Sequence, residues 1–322
     1  MGTGQMRAAV LHGTGQVPRY EVFSAPAAGE GEAVITVTAA ALKPSDRLMA
    51  NGVGYVPDSF PQVAGLDGVG ELEDGTRVGF FLPQRPYGGM AERVLVRQGA
   101  WLPVPGNVDD AIAAALLNPG MAAWKSVFWE GKVEVGQSVL VIGATGTSGR
   151  IAAQLAARLG ARVTAVGRNW RVLDDLLARG TQTVIRADGG HEELSDAVAA
   201  AGPYDLVIDY LWGAPAEAVF DALTRLGRQA GGPDRTRYLL VGMSAGPTAA
   251  LPAMTMRAAP VILAGSGADG PATLADAGVA FEGLLQQAAS GQISVDVETV
   301  PLADVEKTWP QPDSGRRVVY IP

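Results

Sequence analysis

The stretch VLVIGATGTSG, residues 139–149, is an apolar run that leads directly into a glycine-rich turn. A helical pattern begins at Arg150, so the order is strand, tight turn and helix. Such a turn directs the free backbone N–H groups of a helix start at a pyrophosphate. Gly146 lets a diphosphate approach the backbone, and Gly149 lets the helix pack on the strand. The turn favours a dinucleotide site over an ordinary helix start, and its candidate residues are Ala144, Thr145, Gly146, Thr147, Ser148 and Gly149.

The end of the next predicted strand, residues 162–166, indicates which dinucleotide binds. NAD sites have an acidic residue about 20 residues after the fingerprint, where it binds the ribose hydroxyls. Here the segment is Gly167, Arg168, Asn169, Trp170 and Arg171, with no acid. A guanidinium suits phosphate because its planar fork donates two parallel charge-assisted hydrogen bonds. NADPH is therefore favoured over NADH, the alternative being that both arginines are ordinary solvated residues.

Composition excludes several classes of function. A net charge of −8 argues against nucleic acid and anionic membranes as partners. The apolar runs are strand-sized, shorter than a membrane span, and the N-terminus lacks the layout of a signal peptide, so we expect a cytoplasmic protein. The chain has no cysteine and two histidines, which makes a zinc site improbable.

The order of predicted elements indicates two domains, as 322 residues also suggest. Short strands broken by prolines dominate the first 118 residues, as in a partly open β-barrel. Beyond residue 120, strands alternate with helices, which predicts a doubly wound parallel sheet. A helix over 274–289 and strands over 295–300 and 317–321 follow. The six strands are predicted at 138–144, 162–166, 183–186, 204–210, 237–243 and 260–265.

This layout resembles the medium-chain dehydrogenase/reductase superfamily, and more closely its zinc-free quinone oxidoreductase (zeta-crystallin-like) branch. The resemblance covers nearly the whole chain and implies an α/β protein with a GroES-like partly open β-barrel and a six-stranded Rossmann sheet. In zinc-dependent relatives the segment that matches residues 61–70 carries a His-Glu pair, where this chain has Leu66 and Asp67. The matching segments are residues 43–47, 61–70, 88–92, 118–124 and 144–149. The implied domains are 1–119 with 269–322 for the substrate, and 120–268 for NADPH.

The resemblance also implies roles for residues outside the turn. Arg171 lies where relatives have a basic residue for the 2′-phosphate, and Arg317 where they have a cofactor-side cation. The nicotinamide is expected near the ends of later strands, at Gly242, Met243, Ser244, Gly265 and Ser266. On the substrate side, the candidate catalytic residues are Tyr55 as a hydrogen-bond donor, Lys43 as an oxyanion ligand and Asp46 as the residue that orients Lys43.

Two positions depart from the family pattern. Ala122 stands where a threonine often lies near the nicotinamide. Arg186 and Ala187 stand where a tyrosine often accompanies the phosphate-binding cation. Whether Arg186 compensates for that tyrosine, or is simply exposed, is open at this point.

The residues and the resemblance together predict a metal-independent, NADPH-dependent reductase of a small-molecule quinone or α,β-unsaturated carbonyl. The cofactor supplies the hydride, so the protein mainly stabilises developing negative charge on oxygen. One alternative is a zinc-free carbonyl or enoyl-thioester reductase of a biosynthetic pathway. Another is a non-catalytic NADPH-binding protein, because fold does not fix function. The apolar sixth strand, residues 260–264, predicts a homodimer paired along that edge.

Overall fold

The computed structural model describes residues 4–54, 57–227, 235–266, 273–312 and 315–322. The chain divides into two compact units. Unit 1 contains residues 1–118 and 273–322, and unit 2 contains residues 119–272.

The first segment of unit 1 consists mainly of short strands. One helix, α1, follows the third strand, and a longer helix, α2, begins in this segment and continues into unit 2. The elements are β1 (Gln5–Leu11), β2 (Arg19–Ser24), β3 (Glu32–Ala41), α1 (Pro44–Ala50), β4 (Gln62–Val63), β5 (Asp67–Glu71), β6 (Arg77–Phe81), β7 (Arg93–Arg97), β8 (Trp101–Pro103) and α2 (Asp110–Trp124).

Unit 2 alternates strands and helices after a π-helical turn at Lys125–Trp129. Its elements are β9 (Ser138–Ile142), α3 (Thr147–Arg158), β10 (Arg162–Gly167), α4 (Trp170–Ala178), β11 (Thr183–Arg186), α5 (His191–Ala201), β12 (Leu206–Asp209), α6 (Gly213–Leu226), β13 (Thr236–Leu240), α7 (Ala253–Ala258) and β14 (Val261–Gly265). The chain then returns to unit 1 with α8 (Leu274–Ala289), β15 (Val297–Pro301), a 3₁₀ turn (Leu302–Asp304), α9 (Val305–Thr308) and β16 (Arg317–Ile321).

Within the described part of unit 2, six parallel strands form one sheet in the order β11-β10-β9-β12-β13-β14. The central strand β9 is buried along its whole length, as expected of a parallel strand covered on both faces. Tyr204, Phe220 and Tyr238 lie in the hydrophobic core of this unit. The order reverses beside β9, and ligands of doubly wound sheets bind beyond the carboxyl ends of the strands at such a point.

Unit 1 is mostly antiparallel. In its described residues, β2, β1 and β4 form one sheet, and a second sheet follows the order β15-β16-β3-β5-β6-β8, with β7 also paired to β3. Phe80, Trp309 and Tyr320 lie in its core. The separate antiparallel and parallel sheets confirm the predicted fold class.

No helix in the described ranges is long and apolar enough to cross a membrane.

Candidate functional site

The glycine-rich turn joins β9 to α3, and its glycines meet different surroundings. A Cβ added to Gly149 would collide with the carbonyl oxygen of Gly143, so close packing of helix on turn requires glycine there. At Gly146 the nearest protein atom to an added Cβ lies 3.4 Å away, which is ordinary van der Waals contact. Gly146 has a φ of −80°, so its backbone does not require glycine either. The space beside Gly146 is therefore available to a ligand.

The first turn of α3 faces this space. Gly146 is its N-cap residue and, as a glycine, supplies no side-chain cap. The N–H groups of a first helical turn have no partner within the helix, and the helix dipole favours an anion there. This arrangement fits a diphosphate group.

The carboxyl end of β10 packs against the glycine-rich turn. A Cβ added to Gly167 would collide with Cγ2 of Thr145 and lie 2.7 Å from its Oγ1, so the Thr145 side chain packs directly on Gly167. Gly167 is in register with Arg186 of β11, and the N–H of Ala187 donates to the Gly167 carbonyl over 2.9 Å. The turn and the carboxyl ends of β10 and β11 are therefore contiguous.

Three arginines lie at these strand ends. Arg168 and Arg171 are exposed, and among the described residues neither has a hydrogen-bond or ion-pair partner. Arg186 forms an ion pair with Asp188, and its guanidinium carbon lies 6.0 Å from the centroid of the Trp170 ring. The guanidiniums of Arg168 and Arg171 therefore have no recorded partner among the described residues, whereas that of Arg186 is bound to Asp188.

The chain after β12 is fixed by a buried carboxylate. Asp209 accepts hydrogen bonds from the Tyr238 hydroxyl over 2.6 Å, from the N–H of Leu211 over 2.7 Å and from that of Trp212 over 3.0 Å. Burial raises the pKa of Asp209 above its ordinary value, and these hydrogen bonds oppose the rise. Sequence reasoning missed this group, although an acid at the end of an apolar strand was a visible signal.

The segments predicted for the nicotinamide lie beyond the ends of β13 and β14. A Cβ added to Gly242 would lie 2.6 Å from the Tyr210 carbonyl oxygen, and the Ser244 hydroxyl donates to the same oxygen over 3.1 Å. Met243 is 41% exposed, and no atom of the described residues is recorded within 4 Å of a Cβ added to Gly265. The Ser266 N–H donates to Leu240 over 2.7 Å, which holds the two strand ends side by side. All five predicted residues thus lie at the carboxyl edge of the sheet.

Unit 1 contains a second polar cluster, centred on the ammonium group of Lys43. Its Nζ lies 2.9 Å from the Ala41 carbonyl oxygen, 2.7 Å from Asp67 Oδ1 and 3.1 Å from Asp46 Oδ2. The Lys43 side chain is 2% exposed. A lysine ammonium has three N–H donors, and three protein acceptors surround this one. In this geometry Lys43 stabilises two buried carboxylates and presents no unpaired N–H to an oxyanion.

Asp46 and Arg317 complete this cluster. The two oxygens of Asp46 accept from the N–H of Lys43 over 2.8 Å and from that of Leu66 over 3.0 Å. Arg317, expected beside the cofactor, is buried in unit 1 and donates to the Leu42 carbonyl over 2.6 Å. Asp67 is the nearer of the two carboxylates to the Lys43 ammonium, at 2.7 Å against 3.1 Å for Asp46. Tyr55 lies outside the described residues.

The pKa of the Asp67 carboxyl lies above its ordinary value. Burial and the charge of Asp46 raise its pKa, Lys43 and Arg317 lower it, and the net result is a pKa of about 6. The folded protein therefore binds the Asp67 proton more tightly than the unfolded chain does, where the ordinary value is 3.8. The stabilisation from this proton is complete below about pH 4 and is lost as the pH rises through about 6.

An Asp67→Asn variant tests this titration. We expect the wild type to gain stability relative to the variant as the pH falls from about 7 to about 4, because only the wild type binds the extra proton. Chemical denaturation of both proteins at several pH values measures the difference. A stability difference that does not vary with pH would contradict the expected titration.

No protein-family model matches the chain. Among curated proteins, it is 27% identical to a probable NADPH-dependent quinone reductase of Emericella nidulans, over 86% of this chain and 88% of that protein. It is 31% identical to the quinone oxidoreductase of Rattus norvegicus, over 43% and 44% of the two chains. An acrylyl-CoA reductase of Ruegeria pomeroyi is 27% identical over 49% and 52%. The chain thus spans about half the length of the last two relatives, and it matches 10% of a mycocerosic acid synthase-like polyketide synthase of Mycobacterium tuberculosis.

Solved structures resemble the whole chain. A probable oxidoreductase from Mycobacterium abscessus is 25% identical with a TM-score of 0.79, over 100% of both chains. A mycobacterial protein in complex with NADPH has a TM-score of 0.81 at 23% identity, over 98% of this chain and 100% of that one. A putative NADPH:quinone reductase from Bacillus thuringiensis has a TM-score of 0.83 at 20% identity, over 99% of each chain. The last two likenesses show the fold alone.

The fold, the glycine-rich turn and these relatives define an oxidoreductase built on a dinucleotide-binding sheet. The chain is thus similar over most of its length to a curated NADPH-dependent quinone reductase, and it shares the fold of solved quinone oxidoreductases. These likenesses agree with the family resemblance stated from the sequence.

Proposed function

We propose that the chain is an NADPH-dependent, metal-independent reductase that transfers a hydride to a quinone or an α,β-unsaturated carbonyl. The observation that carries the proposal is the space beside Gly146 at the start of α3, together with the exposed Arg168 and Arg171 that follow β10. A curated relative named as an NADPH-dependent quinone reductase supports the same cofactor.

The residues of unit 2 fit the parts of NADPH. The first turn of α3 would hold the diphosphate through its N–H groups, with Gly146 allowing close approach. Arg168 and Arg171 would bind the 2′-phosphate through charge-assisted hydrogen bonds. The nicotinamide would lie against the ends of β13 and β14, near Ser244 and Gly265. When bound, NADPH supplies the hydride.

Negative charge develops on the oxygen of a quinone or enone as it is reduced, and a hydrogen-bond donor stabilises it. Tyr55 remains the proposed donor. Lys43 and Asp46 are proposed as positioning residues, because their polar atoms contact one another and their neighbours in unit 1.

Arg168→Ala tests the 2′-phosphate site. We expect this variant to lose about 1.5–3 kcal/mol of NADPH binding, the usual contribution of a hydrogen bond to a charged group. NADH lacks the phosphate, so its affinity should barely change. Isothermal titration of both cofactors measures the effect, and Arg162→Ala, an exposed arginine at the other end of β10, is the matched control. Equal loss for NADPH and NADH would remove Arg168 from the phosphate site.

A second candidate is reduction of an enoyl thioester, which the match to an acrylyl-CoA reductase favours. Values of kcat/KM with 9,10-phenanthrenequinone, an α,β-unsaturated ketone and an enoyl-CoA separate the classes. We expect the quinone or the ketone to be preferred, and a preference for the enoyl-CoA would replace the first proposal by the second. Binding of NADPH without turnover of any of them would favour a non-catalytic role.

We also propose a homodimer that pairs through β14. Ile262 and Leu263 on this strand are 43% and 39% exposed, and in the described sheet β14 pairs with β13 alone. An exposed apolar edge strand is an aggregation hazard unless it is paired. Light scattering should give twice the chain mass of 33.2 kDa, and a monomer would refute this proposal.

A further inference from the structure

Arg186 differs from the other two arginines at these strand ends because its guanidinium already has partners. It lies over the ring of Trp170, 6.0 Å from the centroid, and forms an ion pair with Asp188. Trp170 is 47% exposed, which is high for an aromatic side chain of its size. The residue is the first of α4, between Arg168 and Arg171.

The position of Arg186 connects it to the proposed cofactor site. It is in register with Gly167, on which Thr145 of the glycine-rich turn packs. Arg168 follows Gly167 directly and Arg171 lies in the first turn of α4, so the three arginines lie at or just beyond the carboxyl ends of two adjacent strands. Three guanidiniums against the carboxylate of Asp188 leave two positive charges there, in a chain of net charge −8. A phosphate monoester carries close to two negative charges at neutral pH.

We propose that Arg186, held over Trp170, is a third ligand of the NADPH 2′-phosphate, and that the negative charge of Asp188 opposes binding of that phosphate. The inference rests on the proposed NADPH-dependent function. It adds the residues that make the site select NADPH over NADH. Arginine loses considerable rotamer freedom when it binds, and the Trp170 ring restricts that freedom beforehand. A guanidinium has five N–H donors in a planar fork, so one edge can bind Asp188 while another is open to a phosphate.

Four variants separate these roles. Arg186→Ala should weaken NADPH binding about 10- to 100-fold, and Trp170→Leu about 2- to 5-fold, as loss of an exposed cation–π contact implies. Trp170→Phe retains an aromatic face and should bind within about 2-fold of the wild type. Asp188→Asn should strengthen NADPH binding about 2- to 5-fold, because it removes the competing charge. Affinity for NADH should be unchanged in all four.

Isothermal titration with NADPH, NADH, adenosine 2′,5′-bisphosphate and adenosine 5′-monophosphate measures these effects without turnover. Arg162→Ala serves as the control and should change none of the affinities. Equal losses with and without the 2′-phosphate in Arg186→Ala or Trp170→Leu would overturn the inference, as would weaker NADPH binding by Asp188→Asn. If Arg168→Ala is selective for NADPH while Arg186→Ala has no effect, only this inference fails. If the wild type does not prefer NADPH to NADH, the proposed cofactor fails with it.

Discussion

Replacing Lys43 by alanine is expected to destabilise the protein by about 3–5 kcal/mol, because removal of one partner leaves a buried charge without compensation. Lys43 contacts two carboxylates, those of Asp46 and Asp67, and all three side chains are at most 3% exposed. Chemical denaturation followed by circular dichroism measures the loss. Lys307→Ala, an exposed lysine in the same unit, is the control and should change stability by less than about 0.5 kcal/mol.

A double-mutant cycle shows whether the ion pair causes the loss. We expect Lys43→Met with Asp67→Leu to cost less than the sum of the two single variants, by about 1 kcal/mol or more, since each single change leaves its partner unpaired. Additive effects, or a Lys43→Ala protein as stable as the wild type, would contradict the buried-cluster interpretation.

Gly146→Ala should have the largest effect on cofactor binding. Among the described residues the nearest atom recorded beside the added methyl group is the Gly143 carbonyl oxygen at 3.4 Å, so stability should change by about 1 kcal/mol or less. The same methyl group would occupy the space proposed for the diphosphate. Because an extra methyl group at a close contact costs about 1–3 kcal/mol, affinity for NADPH and NADH should fall alike, roughly 10- to 100-fold.

Gly190→Ala is the matched control for this variant. Gly190 is the N-cap residue of α5 in the same unit, has a φ of −70°, and has no atom recorded within 4 Å of an added Cβ in the part of the chain that the structure describes. It should bind both cofactors as the wild type does. Unchanged cofactor affinity in Gly146→Ala would place the diphosphate elsewhere.

The dinucleotide sheet was predictable from sequence because its signals are local. The apolar strand at 139–142, the glycine-rich turn and the helix after it are contiguous, and each determines its own backbone geometry. The helix over 274–289 was predicted with the observed bounds for the same reason, since its periodicity lies within one segment. The short helices α1 and α7 were missed, because six or seven residues give too little periodicity.

The partners of the charged residues were not predictable, because they are distant in sequence. Asp67 lies 24 residues from Lys43, and Leu42 lies 275 residues from Arg317. The sequence therefore indicated Lys43 as a ligand for an oxyanion, whereas the fold surrounds its ammonium with protein acceptors. Arg186 and Trp170 are also apart in sequence, and the pairing of β10 with β11 places them in contact.

The most direct test of the proposed function is NADPH oxidation with 9,10-phenanthrenequinone, measured for the wild type and Gly146→Ala after dialysis against a chelator. We predict turnover by the wild type that prefers NADPH to NADH and does not depend on added metal. We predict that Gly146→Ala, still folded, requires roughly 10- to 100-fold more NADPH for the same rate. Turnover that requires a metal ion, or that is unaffected by Gly146→Ala, would contradict the assignment of this turn as the cofactor site of a metal-independent reductase.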